Sequence, residues 1–163
     1  MDDTTVGRVR ECTSDVLPHV ALRDVRVSRM FCEGATPLLN GPFEVESNLT
    51  VSAKQHDHFL YCYAAYDVKA SSGEDRAWTV KLEMVGSWAI ESDVPEFDDE
   101  HLNCFAIAIG SMTLHPYARE NVQTAVSRLG YPPFTLDMIV APTAGADEEI
   151  IEISLSEAPT FSP

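Results

Sequence analysis

Over the first seventeen positions apolar residues recur at helical spacing: Val6, Val9, Val16 and Leu17, with Thr13 on the same stripe. Pro18 forbids continuation, so a short N-terminal helix is predicted within residues 1–18. From His19 the period drops to two. In VALRDVRVSRMF, Val25, Val27 and Arg29 alternate with Arg26, Ser28 and Met30, a strand with one wet face. FEVESNLTVSAK alternates Phe43, Val45, Ser47, Leu49, Val51 and Ala53 with polar neighbours. HFLYCYAAYDV (58–68) is apolar on both faces, and AWTVKLEMVGSWAI (77–90) alternates again. Four such runs in succession predict an antiparallel sheet whose third strand is the most buried.

The connection CEGATPLLNGP (32–42) is punctuated by Gly and Pro yet contains Leu38 and Leu39, so it is expected to cross over something apolar. ESDVPEFDDE (91–100) has six acids and no base, and its last acids suit the N-terminus of a helix from Asp99 to Ile109. A long helix follows, with Ala118, Val122, Ala125, Val126 and Leu129 as its apolar stripe. Pro116 is expected in its first turn, Gly130 just past its end, and Pro132 and Pro133 beyond. Residues 143–163 carry five acids and no base around alternating Ile151, Ile153 and Leu155, an acidic tail or an added edge strand.

At 163 residues the chain is expected to form one domain. Its 26 acids against 11 bases give a net charge of -15, which disfavours nucleic acid and anionic membranes. There is no run of eighteen apolar residues and no secretory signal pattern, so a cytoplasmic protein without membrane insertion is expected. The four cysteines form no CxxC pair and read as free thiols.

Candidate chemistry is sparse. HDH (56–58) has metal-ligand residues, but its two histidines, His56 and His58, have no third ligand near them in sequence and a solvated turn explains them. Cys104 with His101 would share a helix face, yet the NCFAIAI context suits packing better than nucleophilic catalysis. No catalytic residue, metal or cofactor is assigned. The rival enzyme reading is a hot-dog-like thioesterase acting through Asp57 or His58, a fold that wants its long helix near the front of the sheet.

Four strands, then PYARE (Pro116–Glu120), VSR (Val126–Arg128), Tyr131-Pro132 and Leu136, in order and at matching spacing, resemble the SecB family of export chaperones. HLNCFAIAIGSM and GSWAI look like the flanking blocks, and the resemblance runs from about residue 19 to 139. It implies an α+β fold: a four-stranded antiparallel sheet with a crossover loop, packed by a long helix in the C-terminal half, here with a short N-terminal helix and a SecB-like domain over 19–142. It further implies an ATP-independent holdase for unfolded clients, either preproteins or one antitoxin, assembled as a homotetramer, a dimer of dimers.

Client binding is expected at Leu38, Leu39, Phe43, Tyr61, Tyr63, Trp78, Phe134, Leu136, Met138 and Ile139, apolar residues with too few covers. The resemblance places Tyr117, Ala118, Val122 and Ala125 at the oligomer interface. Two departures stand out. The second C-terminal helix of the general-secretion members is replaced by MIVAPTAGADEEIIEISL. Where those members dock the SecA motor through sheet acids, this chain has Thr79, Lys81, Glu83 and Arg29, which leaves SecA docking open.

Overall fold

The period-two runs become four long strands. In the computed structural model, which describes residues 3–94, 96–139 and 153–155, helix α1 (Asp3–Val16) passes through a 3-10 turn at Leu17–His19 into β1 (Val20–Gly34). Strands β2 (Glu44–His56), β3 (Phe59–Ser72) and β4 (Asp75–Ile90) follow, then α2 (Asp99–Phe105), a π turn at Ala106–Gly110, α3 (Ser111–Arg128) and β5 (Ile153–Leu155). The sheet order is β1-β4-β3-β2-β5. The first four strands pair antiparallel, and β5 runs parallel to β2. Apart from β5, the expected tail over 143–163 lies outside the described residues.

Asp57 and His58 form the tight turn between β2 and β3. Asp57 takes a φ of 51°, a left-handed conformation that Asp tolerates better than most residues. Strands β1 and β2 sit on opposite sides of β4 and β3, so residues 35–43 must cross one end of the sheet. Two hydrogen bonds hold that crossing: Ala35 N–H donates to Ala77 O at 2.8 Å, and Ser72 Oγ donates to Asn40 O at 2.9 Å.

Bulges decide which side chains share a face. Between Ser72–Asp75 and Ala70–Trp78 the β3–β4 register shifts by one residue. A one-residue shift moves every later side chain to the other face. Trp78 therefore lies with Leu60, Cys62, Tyr66 and Val68, and opposite to Tyr61 and Tyr63. Two further shifts, between Leu22 and Asp24 and between Val27 and Arg29, do the same in β1, where the plain alternation puts Val25, Val27 and Arg29 together. Arg29 instead joins Arg26 on the far side, leaving Leu22, Val25, Val27, Met30 and Cys32 on the side that carries the helices.

The two separate helices expected after residue 99 are one unbroken run. Pro116 lies inside α3 and not in its first turn. An interior proline costs about 3 kcal/mol, whereas each large apolar side chain buried contributes roughly 1.5–3 kcal/mol. Leu102, Phe105, Leu114, Val122 and Val126 are all buried against the sheet, so tertiary packing outweighs the missing N–H. The stripe steps by four from Leu102 through Ala106, Gly110, Leu114 and Ala118 to Val122. That spacing outruns the α-helical repeat of 3.6, and the wide π turn absorbs part of the drift.

At Gly110 the helix approaches β3 so closely that an added Cβ would stand 2.9 Å from Cys62 Sγ. The start is capped by Asp98, whose carboxylate accepts from His101 N–H at 2.9 Å. The end is a Schellman turn at Gly130, φ 89°, where Gly130 N–H donates to Ser127 O and Tyr131 N–H to Val126 O, at 3.1 and 3.3 Å.

The core lies between this helix and the covered face of β3 and β4, with Trp88 edge-on to Phe105 at 5.4 Å. Helix α1 docks on α2 through Val9 and Cys12 against Cys104. Thr13 Oγ donates to Cys104 O at 3.3 Å, and Arg8 pairs with Glu100 at 2.6 and 2.9 Å. That ion pair is solvent-exposed, so it orients α1 and adds little stability.

Candidate functional site

Where the crossover loop meets the segment after α3, the covered face reaches the end of the sheet. Here Tyr131, which the sequence marks only as part of the Tyr131-Pro132 block of the family resemblance, is the keystone. Its buried ring stands edge-on to Phe43 at 5.6 Å, and its hydroxyl accepts from Leu39 N–H at 3.4 Å. Phe134 packs on Trp78 with ring centres 5.6 Å apart. Leu38 lies over Gly130, within 3.2 Å of where a Cβ there would stand.

His115 fastens the far wall of this seam. Its Nε2 lies 2.6 Å from the carbonyl oxygen of Asp137, which can only accept, so Nε2 carries the proton. Nδ1 then accepts from the Tyr66 hydroxyl at 3.2 Å. Burial lowers the His115 pKa from its ordinary value, keeping the ring neutral, and raises that of the Tyr66 phenol. A histidine beside a helix proline carries no sequence signal for this role, because its partner lies 22 residues further on.

The ten expected client-binding residues divide three ways. Leu38, Leu39, Phe43 and Phe134 meet at the seam around Gly130, Tyr131 and Trp78, Leu38 54% exposed and the other three partly buried against the core; Met138, 71% exposed, and Ile139, partly buried on the core, follow Asp137 further along, where His115 holds the segment. Trp78 and Leu136, each 3% exposed, form the floor and belong to the core. Tyr61 and Tyr63 lie on the opposite face of the sheet, away from the seam. Of the four expected interface residues, Ala118, Val122 and Ala125 are buried against this chain's own sheet, and Tyr117 is exposed.

A second apolar surface was not expected. On β1 the helix-bearing side is apolar as the alternation requires, but α3 stops short of it, and Leu22, Val27 and Met30 are 46%, 39% and 39% exposed. The strand has one wet face by chemistry and two by accessibility. The far face of the sheet is a charge mosaic: Arg29 lies 3.6 Å from Glu83, Lys69 2.8 Å from Asp67, and Arg26 3.7 Å from Asp24.

The titratable groups considered for chemistry are placed for structure. His56 and Asp57 are exposed at a hairpin tip, 3.7 Å apart. Burial, then the neighbouring Cys12, pushes the Cys104 thiol up to about 11, the reverse of an activated nucleophile. His101 hydrogen-bonds Asp98 at 2.7 Å and lies 3.6 Å from Asp15. Among the described residues no group of three or more His, Cys, Asp or Glu could hold a metal ion. None of their helices is long and apolar enough to cross a membrane.

A four-stranded antiparallel sheet extended by a short edge strand, one long helix on a single face and a short helix in front define an α+β protein of SecB-like architecture. The chain belongs to the SecB family: residues 44–140 match the family model described as preprotein translocase subunit SecB. Among solved structures it is similar to the Mycobacterium tuberculosis SecB-like chaperone Rv1957 in complex with a ChAD peptide from the HigA1 antitoxin. The TM-score is 0.72 at 17% identity, covering 80% of this chain and 98% of that one. A protein of unknown function from Streptococcus agalactiae aligns at TM-score 0.43 and 11% identity, over 73% of this chain and 97% of that one.

Proposed function

We propose that the protein is an ATP-independent holdase that takes extended, non-native polypeptide into the seam between the crossover loop, the start of β4 and residues 131–139. The observation that carries the reading is the seam itself. Leu38 stands largely in solvent beside the aromatic pairs Phe43–Tyr131 and Phe134–Trp78, and Met138 is largely exposed further along the same segment. A monomeric surface has little reason to hold such side chains in the open unless something covers them part of the time. Membership of the SecB family supports a chaperone role, and the antitoxin peptide bound to the similar mycobacterial chaperone supports a dedicated client of that kind.

Each large side chain covered contributes roughly 1.5–3 kcal/mol, offset by a comparable ordering cost per residue, so one short segment binds weakly. Several seams on one assembly raise the affinity through effective concentration. The bare apolar side of β1 and the exposed Tyr117 supply a surface for a second copy, in keeping with a homotetramer built as a dimer of dimers in the cytoplasm. Arg26, Arg29 and Lys69 stand beside Asp24, Glu83 and Asp67 on the far sheet face, which weakens the acidity that docking on SecA by the family pattern requires. Client polypeptide is therefore the proposed partner.

The test is a slowly refolding client mixed with a molar excess of the protein. The expected outcome is delayed refolding and suppressed aggregation without nucleotide. Unchanged refolding and unchanged aggregation would count against a holdase. Hydrolysis of acyl thioesters that is lost on changing Asp57 or His58 would favour the enzyme reading instead.

A further inference from the structure

Helix α1 is held differently along its length. Val16, at its end, belongs to the main core, whereas Val9 and Cys12 pack with Cys104 and the partly buried Ala108 in a small cluster of their own. Beside that cluster stand ion pairs in water, Arg8 with Glu100 and Asp15 with His101, and the buried bond from Thr13 Oγ to the Cys104 carbonyl. Opening the front of α1 therefore gives up a few small side chains, and opening α3 would give up many large ones. The front of α1 is the cheaper local opening.

Two thiols meet inside the small cluster. Cys12 and Cys104 are both buried and stand within hydrogen-bonding reach of each other. They lie far apart in sequence and on different helices, so only the fold brings them together. The other two cysteines are placed elsewhere: Cys62 is part of the main core and Cys32 is exposed on β1. Burial keeps small oxidants away from the pair while α1 is docked, and opening of α1 admits them.

We propose that Cys12 and Cys104 are a reversible thiol-oxidation site that fastens α1 to α2 by exchange with a low-molecular-weight disulfide. One cysteine thiolate attacks a sulfur of the small disulfide, forming a mixed disulfide and expelling one small thiolate. When α1 docks again, the second cysteine thiolate attacks the protein sulfur of that bond, and the second small thiolate leaves. The protein pair loses two electrons and two protons, which the small disulfide takes up as two thiols, and a reducing thiol reverses both steps. The bond closes a loop of about 90 residues, restricting the unfolded chain and raising resistance to unfolding. The clamp is independent of what the seam binds, because α2 begins the long helical run and the seam lies beyond its end.

The test uses the full chain carrying Cys32→Ser, which removes the exposed thiol. It is incubated with oxidised glutathione at pH 8 to constant mass, then quenched with iodoacetamide in urea. Expected are a mass lower by two hydrogens before alkylation, a non-reduced tryptic map with Cys12 linked to Cys104, and slower hydrogen exchange over residues 6–13. The thermal midpoint should rise by about 5 °C or more, and dithiothreitol should reverse every change. Cys12→Ala in the same background should stop at a glutathione adduct on Cys104, with no rise in midpoint. The comparison of oxidised with reduced protein needs no buried substitution, so it stands whether or not that variant folds. Recovery of Cys12 and Cys104 as alkylated thiols, or as two separate glutathione adducts, would overturn the clamp. A Cys12–Cys104 bond that leaves exchange over residues 6–13 unchanged would overturn it too.

Discussion

Replacing Leu38 and Met138 together by serine separates binding from stability. Leu38 is 54% exposed and Met138 71% exposed, so those fractions of their surface remain to be covered by a client. Full burial of such a side chain contributes roughly 1.5–3 kcal/mol, which scales to about 2–4 kcal/mol for the exposed parts of the pair. Ordering two flexible side chains takes back roughly 1–2 kcal/mol, leaving about 1–2 kcal/mol, or a loss of about 5- to 30-fold in affinity. Because both residues are largely in solvent already, the unfolding free energy should change by no more than about 0.5 kcal/mol each. Fluorescence anisotropy of a labelled unfolded polypeptide reads the first quantity and urea denaturation the second. Leu136→Ala, 3% exposed two residues from Met138, is the contrasting control, with a stability loss of about 2–5 kcal/mol. Affinity of the double serine variant within twofold of the parent would refute the assignment of the seam.

Three further outcomes follow from the packing and the titrating groups. Gly110→Ala forces Cys62 and the helix apart, and should cost about 1–3 kcal/mol in the same denaturation experiment. His115 has a folded-state pKa below its unfolded value, so its contribution to stability is present above the unfolded pKa of about 6.5 and is lost as pH falls toward the folded value. His115→Gln should lower stability at pH 7.5 by about 1–2 kcal/mol, and the gap should narrow by pH 5. With an aromatic disulfide reagent at pH 8 the native protein should show one fast thiol, the exposed Cys32, and three slow ones, Cys12, Cys62 and Cys104, all four becoming fast in denaturant.

Period and punctuation carried the strands, the front helix and the Gly130 stop, because each rests on local chemistry: alternation, a proline break, a residue free to take φ of 89°. The failures share one cause. Helix 99–128 reads as two pieces because Gly110 and Pro116 are local breakers, while the burial that overrides them involves β3 and β4 residues tens of positions away. Tyr61, Tyr63 and Trp78 are expected together as apolar residues of the sheet, whereas the register puts Trp78 on the helix-bearing face and the two tyrosines on the other. The single-residue shift beside Ala70 has no signature in the sequence. Arg29 departs from Val27 for the same reason. The interface expectation at Ala118, Val122 and Ala125 assumed a stripe free to meet another helix, but in this chain the sheet already covers it. Leu38, Leu39, Phe43 and Phe134 stand out in the sequence because large apolar side chains in loops need a partner, and the structure places them around Tyr131 and Trp78.

A photo-crosslinking side chain placed at Leu38 in one preparation, and at Lys81 on the far sheet face in another, addresses the central claim most directly. Irradiated with an unfolded polypeptide, the Leu38 position should capture it and the Lys81 position should not, and native competitor protein should leave the yield unchanged. Equal capture at both positions, or capture at Lys81 alone, would contradict the seam as the place where this protein holds a client.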